Sequence, residues 1–381
     1  MKRIISLALV LILISATLVG STKPAEVDSP VVETPPVVET PVDPPATETP
    51  AAEGKIVKFG LGQNISIASS KDAGVDANNK AVLAQGQADV TMAAVGFDTD
   101  GKVASVTIDV AQTKVKFDED LKVASDKEEK VKSKKELGPD YGMVGASAIG
   151  KEWFEQMEAF EEWMIGKTVD EITGLKVKEA NPTHLNVPDV PELTSTVTIT
   201  VESYIAAVKE AWDNAQDVVG ADTLGLGVVT SIKSSKDKGV DANNKEVLPL
   251  AQVDTTMSAT AVDKDGKVVG VINDVAQVKI AFDADGKVTT DKEAELKTKK
   301  ELKGDYGMVG ASAIGKEWFE QMEAFEDWMA GKTIDEITGL KVKEANPTHL
   351  NVPDVPELTS TVTITVESYL AAVKAAFDNK R

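Results

Sequence analysis

Half of the residues in one fourteen-residue stretch carry hydroxyl groups. PELTSTVTITVESY, residues 191–204, holds Thr194, Ser195, Thr196, Thr198, Thr200, Ser203 and Tyr204, and it returns unchanged at residues 356–369. It leads into an apolar-periodic segment, so the hydroxyls gather where a helix begins. A helix amino terminus offers unpaired backbone N–H donors and the positive end of its dipole, which suits a phosphate. Threonine hydroxyls beside it can add hydrogen bonds or serve as a point of covalent attachment. Helix capping accounts for one or two such residues; a phosphate-bearing cofactor accounts for the cluster. The two histidines, His184 and His349, stand in the proline-rich segments just before these stretches. They are placed to ligate, to relay a proton or to face solvent.

Composition narrows the chemistry. The 62 Asp and Glu against 41 Lys and Arg give a formal charge of -21, a surface that repels nucleic acid and anionic membranes at long range. Cysteine is absent, which excludes disulfides, thiolate metal sites and thiol nucleophiles. Redox chemistry would therefore rest on a bound cofactor. A hydrolase is poorly supported, with one histidine per repeat and no thiol nucleophile.

The elements that position these residues come in two copies at a period of 165 residues. Between residues 140–214 and their copy only six positions differ, Glu162, Ile165, Val169, Ile205, Glu210 and Trp212 becoming Asp327, Ala330, Ile334, Leu370, Ala375 and Phe377. A unit of that length can bury a core by itself, so the pattern predicts an α+β chain of two near-independent units, residues 55–219 and 220–381. Each is expected to hold an antiparallel sheet with packed helices. Alternating apolar residues across 88–117, broken by Asp98-Thr99-Asp100-Gly101, predict a hairpin. The copy turns at Asp263-Lys264-Asp265-Gly266, and a further turn at Asp285-Gly286 has lost its glycine in the first copy, where Asp120 and Leu121 stand. These Asp-rich strings read as turns rather than calcium loops, since the closing glutamate of such a loop is missing. Trp153, Met157, Phe160 and Met164 recur at helical spacing and Gly166 supplies a stop. The stripe reads as core, with Trp153, Phe154 and Trp163 as candidates for a ring-stacking wall. Thr168 and Glu171 form a capping-box pair. Residues 181–191 read as an irregular surface loop, and 197–215 as a turn followed by a closing helix.

The amino end, residues 1–21, is a basic start followed by an apolar run, an export signal; a retained anchor is the competing reading. Leu18-Val19-Gly20-Ser21 has the form of a lipobox with serine at the lipidated position. Residues 22–54 hold eight of the sixteen prolines, which predicts an extended stalk or a solubilising linker.

The DGK hairpin, DVAQTKVKF, KKELGPDYGM, ASAIGKEW and the final VTITVESYLAAV together resemble the PplA-type extracellular flavin-binding lipoproteins of Gram-positive bacteria, related to the FMN-binding domain of the NqrC and RnfG subunits. The resemblance covers residues 56–381, both copies. It implies two FMN groups, each esterified through its phosphate to a threonine by an extracellular flavin transferase. It also implies electron flow from a membrane quinone-linked donor to extracellular acceptors such as ferric iron, at the cell surface or wall or in secreted form. The nearest match to the family's Ser-Gly-Ala-Thr motif is Ser195-Thr196-Val197-Thr198-Ile199-Thr200, and Ser360-Thr361-Val362-Thr363-Ile364-Thr365 in the copy, without the Gly-Ala. That assigns attachment to Thr198 and Thr363, flanked by Thr196, Thr200, Thr361 and Thr365. Thr91 and Thr256 are a fallback, and Gly145-Ala146-Ser147 and Gly310-Ala311-Ser312 are superficially similar. The opposing reading is a non-redox surface binding or adhesion protein with tandem domains.

Overall fold

The Asp-x-Asp-Gly strings turn the chain for a local reason. The Asp98 carboxylate accepts from the N–H groups of Asp100 and Lys102, both at 2.9 Å, and Gly101 takes φ 74°, a left-handed conformation that a side chain disfavours. The strands on either side pair antiparallel, Gln85–Phe97 (β2) with Val103–Lys116 (β3), and a bulge interrupts the register at Gly96 and Phe97. Ile56–Ser66 (β1) pairs with the other edge of β2. The second copy repeats the arrangement with Gln216–Ser231 (β4), Leu250–Asp263 (β5) and Val268–Ala281 (β6). This computed structural model describes residues 55–182, 184–347 and 349–381. The expected export signal, residues 1–21, and the expected stalk, residues 22–54, lie outside the described residues.

The fold is α+β. One six-stranded antiparallel sheet runs in the order β6-β5-β4-β1-β2-β3, joined at its centre by a short pairing of β1 with β4. Its two halves fold over each other, as the close approach of Gly86 in β2 to Ala251 in β5 shows: a Cβ on Gly86 would come within 2.3 Å of the Ala251 methyl. The expectation of two units with separate cores is therefore corrected. Val90, Met92 and Phe117 of the first repeat and Val253, Met257 and Phe282 of the second belong to one buried cluster. The inner strand faces of both halves are too apolar to face water, and each covers the other.

The clasp is reciprocal. Asp237 accepts from the Val123 N–H and Asp72 from the Val288 N–H, both at 2.9 Å, while Lys127 donates to the Ser235 carbonyl and Lys292 to the Ser70 carbonyl, both at 2.7 Å. Each contact has its image under exchange of repeats, as at the interface of a twofold dimer. Leu121, where the glycine is lost, keeps the left-handed turn at φ 58° and lies buried in the shared core. That burial offsets the backbone cost.

The outer face of each half is covered by helices. Trp153–Met164 (α1) and Glu202–Asp213 (α2) cover the first, and Trp318–Met329 (α3) and Glu367–Asp378 (α4) the second. Trp153, Met157, Phe160 and Met164 all point into this outer core. Gly60 and Gly62 let α2 lie directly on β1, since a Cβ there would sit 1.7 Å and 2.0 Å from the carbonyl oxygens of Ala211 and Ala207. Thr168 and Glu171 form the expected capping box. The segment expected to be irregular carries a small ladder, with Val177–Lys178 pairing Val187–Pro188.

Candidate functional site

A cavity of about 300 Å³ opens in the first repeat, between the 143–148 loop, α1, the Val177–Lys178 and Val187–Pro188 ladder, and the hydroxyl-rich turn. Its image of about 280 Å³ in the second repeat is lined by the corresponding residues, from Met308 to Ile364. Thr198 and Thr363 stand on these walls.

The remaining expected threonines do not. Thr196 donates its hydroxyl to the Leu193 carbonyl at 3.3 Å, and Thr361 does the same to Leu358. Neither they nor Thr200 and Thr365 line the cavities. Thr91 and Thr256 are buried on central strands, where sheet pairing already accounts for them. Ser147 and Ser312, by contrast, meet Thr198 and Thr363 at the same cavities. The helix behind the turn begins at Glu202 after Val201, which makes no side-chain cap bond, so the hydroxyl cluster precedes the helix instead of capping it.

Sequence reading missed the residue that joins these parts. Gln156 is fully buried in α1. Its Oε1 accepts from the Thr198 N–H at 2.9 Å and from the Thr198 hydroxyl at 3.2 Å, and its Nε2 donates to Ser147 Oγ at 3.1 Å and to the Lys151 carbonyl at 3.3 Å. Gln321 repeats every contact with Thr363, Ser312 and Lys316. The available signal was a polar residue one position before Met157 in an apolar helical stripe. Glu152 was also missed. Its carboxylate accepts from the Met143 and Val144 N–H groups at 2.8 and 3.2 Å and ties the loop to the start of α1.

The rest of the wall mixes Met143, Val187, Pro188, Val197 and Ile199 with the polar Lys178, Asn181 and His184. The His184 ring nitrogen Nδ1 lies 3.1 Å from Asn181 Oδ1, and Lys178 pairs with Asp189 at 2.7 Å. Among the described residues no phenylalanine, tyrosine or tryptophan lines the cavity, which corrects the expectation of a stacking wall. Trp153 is buried and donates to the Tyr204 hydroxyl at 2.9 Å, while Trp163 stacks on Phe160 with centroids 5.8 Å apart. Were a flavin held here, Met143, Val187 and Pro188 would flank its ring and the Thr198 hydroxyl would stand within the wall, with the Lys178–Asp189 pair at the cavity. The volume stands at the lower end for a drug-sized ligand, about 300 Å³, so part of the ring would remain at the rim.

Away from the cavities, carboxyls are buried along β3 and β6 and on the helices beside them. Burial pushes Asp109 and Asp274 up to about 6 against the hydrogen bonds they accept, and Glu326 up to about 7 against the pull of Lys300. Half-buried beside Gln63, Glu210 loses hydration and also rises to about 7, with repulsion from Glu301 adding to the shift. Among the described residues no cluster of three or more His, Cys, Asp or Glu side chains is arranged to hold a metal ion, and no helix is long and apolar enough to cross a membrane.

No protein-family model matches the chain, and no solved structure matches it. A 40-residue stretch is 52% identical to a chlorophenol reductase of Desulfitobacterium hafniense, covering 10% of this chain and 12% of that protein. The likeness is thus to a short segment of each, and the chain spans about an eighth of that relative's length.

Proposed function

We propose that this chain is an exported flavin carrier holding two FMN groups, one in each cavity, bound through the Thr198 and Thr363 hydroxyls. An extracellular flavin transferase loads them, a membrane quinone-linked donor reduces them, and acceptors such as ferric iron take the electrons. The observation that carries this reading is the position of Thr198 and Thr363. In each repeat the threonine to which the family likeness assigns attachment stands on a cavity wall with its hydroxyl hydrogen-bonded, while Thr196 and Thr200 do not line the cavity and Thr194, which does, gives its hydroxyl to the Pro191 carbonyl. Bound flavin supplies one- and two-electron chemistry, and the protein's part is to fix and shield it. Met143, Val187, Pro188 and Ile199 would shield the ring from water, and Lys178, on the same wall and paired with Asp189, would supply the nearby positive charge. The net charge of -21 draws cationic oxidants and repels anionic ones. The test is the intact mass of the mature chain produced together with a flavin transferase. The reading expects two FMN residues, reduced to one by either Thr198→Ala or Thr363→Ala. A mature chain without flavin, made with an active transferase, overturns it in favour of a colourless surface binding protein.

A further inference from the structure

We infer that Gln156 and Gln321 are positioning residues for the modification of Thr198 and Thr363, setting the rotamer and hydroxyl direction of the threonine that receives the phosphoryl group. This inference rests on the flavin-carrier reading above. A primary amide buried without partners costs several kcal/mol, and methionine or leucine would fill the same volume in α1 at no such cost. Gln156 is nevertheless fully buried in line with Trp153, Met157 and Phe160.

Its bonds explain it. An amide side chain has two N–H donors and two acceptor lone pairs, and here both donors and both lone pairs are used, on Ser147, Lys151 and twice on Thr198. The assignment of oxygen and nitrogen is therefore fixed by the surroundings, because a flipped amide would set its N–H groups against the Thr198 N–H. Two bonds from one oxygen to the backbone and side chain of the same threonine lock that side chain. The hydroxyl hydrogen then points at Gln156 Oε1, and the lone pairs of Oγ1 are left for other partners. Ser147 Oγ accepts from the Lys151 N–H as well as from Gln156, and Thr194, the third hydroxyl on this wall, donates to the Pro191 carbonyl.

In the loading step the Thr198 Oγ1–P bond forms. A P–O bond of a flavin-containing pyrophosphate breaks, a nucleoside monophosphate leaves, and the hydroxyl proton passes to a base of the transferase. Gln156 does not take that proton, since a neutral amide oxygen is too weak a base. It holds Oγ1 in place for attack, and misplacement on the ångström scale costs on the order of 100-fold in rate.

The experiment loads the full chain with a flavin transferase and the flavin dinucleotide, and follows Thr198 and Thr363 separately by peptide mass. Repeat two serves as the internal reference. Gln156→Met is expected to slow loading of Thr198 by on the order of 10- to 100-fold and to leave Thr363 unchanged. Gln156→Glu restores the acceptor oxygen and so restores loading, and its carboxylate, placed against the hydroxyl, gives the rate at Thr198 a dependence on pH that Thr363 in the same molecule lacks. Wild-type loading of Thr198 in Gln156→Met overturns this inference and leaves the flavin-carrier reading standing. Flavin mapped to Ser147 also overturns it, and a wild-type chain that loads neither threonine overturns both. If Gln156→Met loses the amide protection of the first repeat, Gln156→Glu decides: loading at both sites with no pH difference between them overturns the inference.

Discussion

The cavities are nearly identical in the two repeats, whereas the seams where each repeat's last residue pairs beside its own first strand and faces the other repeat are not. In one seam Arg381 pairs with the backbone of Leu224. It donates to Glu161, to the Val106 carbonyl and to Thr107 Oγ1, and its carbonyl accepts from Ser105. The image positions are Gln216, Gly270 and Ile272, and Phe59 takes the place of Leu224. There the Phe59 ring occupies the space a side chain on Gly270 would need, its nearest atom 2.7 Å from the Cβ position. A guanidinium fills one seam and a phenyl ring the other. Glu161 consequently meets two cations, Lys135 and Arg381, while among the described residues Glu326 meets Lys300 alone. Just beneath, Ala93, Val95 and Ile108 of the first repeat become Ser258, Thr260 and Asn273, all fully buried, and both amide atoms of Asn273 lack a hydrogen-bond partner. The near-identical half of the repeat preserves a site, and the divergent half has been free to change how charge is buried.

The largest effect tests whether the repeats stand or fall together. Phe282 packs edge-on against Phe117 across the shared core, centroids 5.1 Å apart, so Phe282→Ala should cost about 3–5 kcal/mol. Urea unfolding followed by hydrogen exchange should lose protection in both repeats in one transition. A first repeat that keeps its protection while the second melts would break the picture of a common core.

The second prediction sharpens the contrast of the carboxyls. Glu326 has a folded pKa of about 7 against an ordinary 4.5, so the folded state holds a proton that the unfolded chain releases first. Its contribution favours folding below about pH 4.5 and is lost as pH rises towards 7, by on the order of 3 kcal/mol at most. Glu326→Gln should therefore flatten the fall in stability between pH 5 and pH 8. Glu161→Gln should instead lower stability at pH 8, because it leaves Lys135 and Arg381 without their shared anion. Denaturation midpoints at the two pH values decide; equal behaviour of the two variants would erase the distinction.

Asn273→Ile copies the first repeat into the second. It removes two unsatisfied buried polar atoms and should raise stability by about 1–2 kcal/mol, read as a higher melting temperature; a loss would mean that the amide has a partner in solution. Arg381→Gln, which copies the second seam into the first, should cost about 1 kcal/mol, because the guanidinium side chain is 44% exposed and Lys135 remains on Glu161. No change in midpoint there would show that Lys135 alone suffices.

Local features were legible because their causes lie within a few residues. The Asp98 turn, the strand alternation beside it, the Thr168 capping box and the α1 stripe each follow from side chains contacting their own neighbourhood. The hydroxyl cluster itself was legible for a similar reason, although the cluster did not say which of its members would reach the cavity. Gln156 was not, because nothing in its spacing says that its four hydrogen bonds would converge on residues 9 and 42 positions away and on the start of its own helix.

The sequence by itself determined that there are two copies of a unit, where the main hairpins and the long helices lie, that no thiol chemistry is available, and where hydroxyl groups cluster. Only the tertiary structure decided that the copies share one core, since an alternating strand shows that one face must be covered and never by what. It also decided that Trp153 belongs to the core while Thr198 and Ser147 face the same cavity, and that Glu161 and Glu326 bury their charge in different company. Those outcomes depend on which distant surfaces meet, and burial and pairing energies are set by that meeting rather than by the order of residues along the chain.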